Sequence, residues 1–74
     1  MTPSYTERFV ALFEMHPYLP FDGLKLAHVC PYAWRTRVSE ARLRFLAAGK
    51  GNIKNTQVRL ENGSKRSLYT FIPT

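Results

Sequence analysis

At Gly49-Lys50-Gly51-Asn52 the hydrophobic period of this chain changes from 3.6 residues to 2, a change that predicts helices first and strands last. The helical part culminates in the stretch Tyr32 to Phe45. There Trp34, Val38, Ala41 and Phe45 recur at i, i+4, i+7 and i+11 as one apolar stripe. On this reading Thr36, Ser39, Glu40 and Leu43 point the other way, and Arg35, Arg37, Arg42 and Arg44 line the two flanks. Such a helix is suited to sit on a core and face a polyanion. A merely solvated arginine-rich surface helix would show the same pattern.

Two shorter helices precede it. Ser4-Tyr5-Thr6-Glu7 reads as a capping box, and Tyr5, Phe9, Leu12 and Phe13 share one face until His16-Pro17, because proline disfavours helix in the residue before it. This predicts a first helix at about residues 5–15. Asp22 is the candidate N-cap of a second helix, about 22–29, with Leu24, Leu26, Ala27 and Val29 as its apolar set. Cys30-Pro31 ends it, and the third helix is expected over about 33–48, with Gly49 as its C-terminal glycine. Two helices so closely joined, the second rich in arginine, have helix-turn-helix spacing.

Beyond Gly51, Thr56, Val58 and Leu60 alternate with Gln57, Arg59 and Glu61, the pattern of a strand with one buried face. Asn62-Gly63 suits a two-residue type I′ hairpin turn, and Ser67 to Ile72 form the return strand before Pro73. Ile53 is out of phase with Val58 and Leu60, so a bulge, or a break after a short strand at 52–55, is expected. The resulting class is α+β, mainly α. Three helices precede a β-hairpin at about 53–72, the order of a single winged helix-turn-helix domain over residues 1–74.

Composition narrows the partners. At 74 residues, a domain buries only about 60% of the surface its unfolded chain exposes, and a lone cysteine, Cys30, allows no intramolecular bridge. That usage fits a reducing compartment, no run approaches the roughly 20 apolar residues of a membrane span, and the N-terminus lacks a signal-peptide pattern. A cytoplasmic protein is the expectation. The formal charge is +6, unevenly placed. Residues 1–31 carry Arg8 and Lys25 against Glu7, Glu14 and Asp22, a net of −1, whereas residues 32–74 carry nine Lys or Arg against Glu40 and Glu61, a net of +7. Such asymmetry is an argument about partners. Nucleic acid comes first, ahead of an acidic protein surface or an anionic membrane.

Three runs sharpen this: Asp22-Gly23-Leu24-Lys25-Leu26-Ala27, Ala33-Trp34-Arg35-Thr36-Arg37-Val38-Ser39-Glu40-Ala41-Arg42, and Gly51-Asn52-Ile53-Lys54-Asn55. Over about residues 20–72 they resemble small winged helix-turn-helix proteins of bacteriophages and prophages, which show a pattern like A-W-R-T-R-[VI]-S-[DE]-L-R, then a glycine and an x-I-x-N strand, and often a late tyrosine strand such as Leu68-Tyr69-Thr70-Phe71. The resemblance implies a winged-helix DNA-binding domain. The chain departs from the pattern at Ala41, where leucine is expected, and in the longer run Leu43 to Ala48 before glycine.

A recognition helix in the major groove contacts base edges through its N-terminal part, which nominates Arg35, Thr36 and Ser39, arginine being suited to bidentate pairing with guanine. Tyr32, Arg37, Arg42, Arg44, Lys50, Lys54, Arg59, Lys65 and Arg66 are the candidates for backbone contact, with one of Arg37, Arg42 and Arg44 expected to pair with Glu40 or Glu14. Trp34 could stack on a base, but its place on the apolar stripe favours the core. No metal or cofactor is expected, since His28 and Cys30 have no further ligand pair at zinc spacing. Cys30 with a histidine could in principle form a nucleophilic pair, but the turn it occupies calls for a small buried residue. No glycine-rich phosphate loop appears either, so neither enzyme activity nor a small-molecule substrate is expected.

The expected function is sequence-specific binding of double-stranded DNA, in transcriptional regulation. One module buries roughly 600–1,000 Å² of its own surface on DNA, so a homodimer or partner protein is expected as well. Two alternatives use the same basic face: a protein-interaction module that engages an acidic host protein, favoured by an exposed Leu43, Leu46 and Tyr32, and an architectural or excision-type DNA cofactor with little sequence reading.

Overall fold

A computed structural model describes residues 4–74; residues 1–3, included in the single domain expected from sequence, lie outside the described residues. The elements run α1 (Tyr5–Met15), β1 (Phe21–Asp22), α2 (Gly23–Val29), α3 (Trp34–Ala47), β2 (Gly51–Arg59) and β3 (Lys65–Pro73). The strands form an antiparallel sheet in the order β1-β3-β2. The result is a small α+β architecture of three helices on one face of a three-stranded sheet.

The helix ends follow local chemistry. Ser4 Oγ accepts from the Glu7 N–H at 3.2 Å while the Glu7 carboxylate accepts from the Ser4 N–H at 3.3 Å, completing the capping box. Asp22 Oδ1 accepts from the Leu24 N–H at 3.0 Å and caps α2. α3 closes in a Schellman arrangement, Gly49 N–H to Leu46 C=O and Lys50 N–H to Phe45 C=O. Its N-terminus is different. Ala33 sits at the N-cap with φ +50° and makes no side-chain cap bond. An L-residue there costs about 1–2 kcal/mol, partly offset in a glycine variant by the greater freedom of its unfolded chain. Ala33→Gly should therefore stabilise the fold by about 0.5–1 kcal/mol in urea unfolding; a loss of stability would mean that the methyl group makes a contact outweighing the strain.

The core joins all six elements through Phe9, Phe13, Phe21, Leu26, Cys30, Val38, Ala41, Phe45, Ile53 and Phe71. Phe45 stacks on Phe71 with centroids 4.2 Å apart, and Phe13 meets Phe21 edge-on at 5.3 Å. Trp34 is half-buried against this core, edge-on to Tyr69 at 5.7 Å. Leu24 departs from the apolar set expected of α2, being 74% exposed. Glu40 departs too: it lies half-buried and accepts a hydrogen bond from Thr6, itself buried in α1.

The sheet corrects three expectations. β1 was not foreseen, because two residues carry no readable period; Phe21 pairs with Tyr69 and Asp22 with Leu68. No bulge interrupts β2, whose pairing runs unbroken from Gly51↔Pro73 to Arg59↔Lys65. Ile53 is out of phase because it, and not Val58, faces the core; Thr56 and Val58 are exposed on the opposite face, and the core ends at the Ile53–Phe71 rung. The turn is also not a two-residue type I′. Gly63 N–H reaches Leu60 C=O at 3.0 Å, Leu60 N–H reaches Ser64 C=O at 2.7 Å, and only Gly63 has positive φ, +86°. That is the three-residue connection Glu61-Asn62-Gly63, with glycine in the left-handed position, and Asn62 Oδ1 accepts from the Ser64 N–H at 3.0 Å.

Candidate nucleic-acid interface

At about 100° per residue, the arginines of α3 separate onto two unlike flanks. Arg37 and Arg44 face α1. Arg37 pairs with Glu40 at 3.1 Å, its Nε enclosed without a partner, and Arg44 lies 4.0 Å from Glu7. Arg35 and Arg42 face β2. The Arg42 Nε–H donates to Asn52 Oδ1 at 2.9 Å, and the Arg35 guanidinium lies over the Trp34 ring, 4.9 Å from its centroid. A groove of about 260 Å³ runs between this flank and the sheet, lined by Arg35, Val38, Ser39, Arg42, Ile53, Asn55 and Tyr69.

The groove continues along the hairpin. In an antiparallel sheet, directly opposed residues share a face, so the face holding Ile53 and Phe71 also carries Asn55 with Tyr69, Gln57 with Ser67, and Arg59 with Lys65. A second cleft, of about 390 Å³, lies where α2 and the start of α3 meet the hairpin, with Trp34, Arg35, Lys65, Arg66 and Ser67 among its walls. Arg59 and Lys65 oppose each other at the last paired rung, and like charges so placed cost up to about 1 kcal/mol unless an anion lies between them. Together the groove and cleft form a trough with α3 on one side and the hairpin on the other.

The base-edge candidates Arg35, Thr36 and Ser39 are all exposed on the first two turns of α3. Among the backbone candidates, Arg42 lines the groove and Lys65 the cleft, Arg59 lies opposite Lys65 on the same sheet face, and Lys54 lies on the outer sheet face opposite Thr70. Tyr32 is 75% exposed just before α3. The other four are ion-paired: Arg37 and Arg44 as above, Lys50 with Glu14 at 3.3 Å, and Arg66, in the cleft wall, with Asp22 at 2.9 Å. Among the described residues no carboxylate pairs with Arg35, Arg42, Lys54, Arg59 or Lys65. The expected pairing of an α3 arginine with Glu40 is therefore met by Arg37, whereas Glu14 pairs with Lys50.

Asn52, Asn55, Gln57 and Ser67 are polar neighbours of this trough that sequence reasoning missed. The available signal was the phase of Ile53, which puts Asn55, Gln57 and Arg59 on its own face. Cys30 is wholly buried, its thiol donating to the Tyr32 carbonyl at 3.0 Å. Among the described residues no three His, Cys, Asp or Glu side chains gather into a metal-binding group, and no helix is long and apolar enough to cross a membrane. No family model, curated protein or solved structure matches the chain.

Proposed function

We propose that this chain is a winged helix-turn-helix domain of the small phage and prophage type, and that it binds double-stranded DNA with sequence preference in the regulation of transcription or another DNA transaction. In this reading α3 enters the major groove N-terminal end first, the hairpin is the wing, and one phosphate strand follows the trough between them. The observation that carries it is the segregation of charge. Among the described residues the trough cations Arg35, Arg42, Arg59 and Lys65 have no carboxylate partner, Arg66 alone being held by Asp22, while those on the α1 flank are matched by Glu7, Glu14 and Glu40. Ion pairing on one side and open cations on the other leave one face for phosphate, which supplies the sequence-independent part of DNA affinity.

A second reading rests on α3 itself. Leu43 is 63% exposed on its outer face, and Leu46 is exposed beside it. An apolar patch framed by Arg42 and Arg44 suits an acidic protein partner better than phosphate. Selection of binding sites from random duplex DNA, repeated across salt concentrations, separates the readings. The DNA reading expects an enriched motif, palindromic if two copies bind together. Steeply salt-dependent binding without a motif would leave an architectural role, and no binding at low salt would turn the assignment to the protein partner.

A further inference from the structure

Arg66 is the one hairpin cation with a carboxylate partner among the described residues, and that partner is held unusually firmly. Asp22 pairs with Leu68 in the sheet, which places its carboxylate diagonally across from Arg66, in the wall of the cleft beside α2. Its Oδ2 lies 2.9 Å from Arg66 Nε, while its Oδ1 accepts the Leu24 N–H at 3.0 Å. The side chain is 27% exposed, against 55% and 49% for Glu7 and Glu14 in the longer pairs of the α1 flank. The carboxylate cannot swing away from Arg66 without uncapping α2, so Asp22 is held in place beside the guanidinium by the same contact that starts the helix.

We infer that Asp22 is a masking residue: it withholds Arg66 from phosphate and so limits how many backbone contacts the hairpin makes. The inference rests on the DNA reading above. A phosphate contact strengthens binding to every sequence alike, whereas base contacts discriminate. Holding one wing cation out of service lowers non-selective affinity and leaves the base-reading end of α3 a larger share of the total. Asp22 thus acts through Arg66, and on selectivity more than on strength.

Asp22→Asn tests this without removing the cap, since asparagine caps a helix about as well as aspartate. The 74-residue chain, D22N, R66A and the D22N/R66A double variant are titrated onto a selected duplex and a random-sequence duplex from about 50 to 200 mM salt. D22N should steepen the log K against log salt slope by about 0.9, tighten low-salt binding to the random duplex and narrow the gap between the two duplexes. R66A should match the parent, and the double variant should return to it. The inference is overturned if R66A alone flattens the slope by about 0.9, if D22N leaves it unchanged, or if the D22N effect persists without Arg66. Failure of the parent chain to bind either duplex at the lowest salt would overturn the DNA reading and this inference together; binding with an unaltered D22N slope overturns the inference alone.

Discussion

Gly51→Ala should cost at least about 3 kcal/mol of stability, a large share of the roughly 4–11 kcal/mol available to a domain of this size. A Cβ at Gly51 would lie 2.8 Å from Pro73 Cα and 2.9 Å from Phe71 Cε1, with the Ile72 carbonyl oxygen closer still. Two of these are backbone atoms of the paired strand, so relief requires the Gly51↔Pro73 rung to part. The third belongs to Phe71, whose stacking on Phe45 fixes α3 to the sheet. The backbone itself, at φ +149°, adds strain of order 1–3 kcal/mol for a residue with a side chain. Gly49→Ala is the matched control: its φ is +68°, but nothing lies within 4 Å of the added carbon, so only the left-handed penalty of about 1–2 kcal/mol applies. Thermal unfolding should rank G51A well below G49A, with roughly 4–8 °C per kcal/mol. Equal melting temperatures would show that the two strands separate at no cost where β2 begins.

Arg35→Ala and Arg37→Ala, two residues apart on one helix, should have opposite profiles. Arg35 reaches the trough with no carboxylate partner, and its loss should weaken binding to a selected duplex by about 1–3 kcal/mol, roughly 5–150-fold, relaxing preference at one base pair. Arg37 is bound to Glu40 on the α1 side, so R37A should leave DNA affinity and its salt slope unchanged. It should instead lower stability by up to about 1 kcal/mol, since the pair is partly exposed and Thr6 still donates to Glu40. Comparable losses of affinity from both variants would mean that the two flanks of α3 are not distinguished by DNA.

That distinction was the part of the site hardest to see in the sequence. Helix periods place arginines on two shoulders of α3, but which shoulder meets carboxylates depends on α1 crossing it, through contacts such as Thr6 to Glu40 that join residues 34 apart. Local signals were readable because they act within a few residues: the Ser4–Glu7 box, the Asp22 cap, and the close of α3 at Gly49. The strands were readable as strands, and Tyr69 and Phe71 share a face of β3 as their alternation indicates, yet the faces of β2 were inverted. Thr56 and Val58 alternate as a core face would, but the core stops at Ile53 and leaves them on a projecting hairpin. Likewise Asn62-Gly63 marks a turn, while its length was set by how Leu60 and Ser64 pair. β1 and the Asp22–Arg66 pair arise only when distant segments meet.

The most direct measurement of the central claim is duplex affinity as a function of salt, followed by fluorescence anisotropy with the selected site. With phosphates held by Arg42, Arg59 and Lys65, and Arg35 at or beside the base edges, the slope of log K against log salt should fall at about −3 to −4. A slope near −8, the value for engagement of all nine basic residues between 32 and 74, or no binding at about 50 mM salt, would contradict an account in which one unpaired trough receives the DNA.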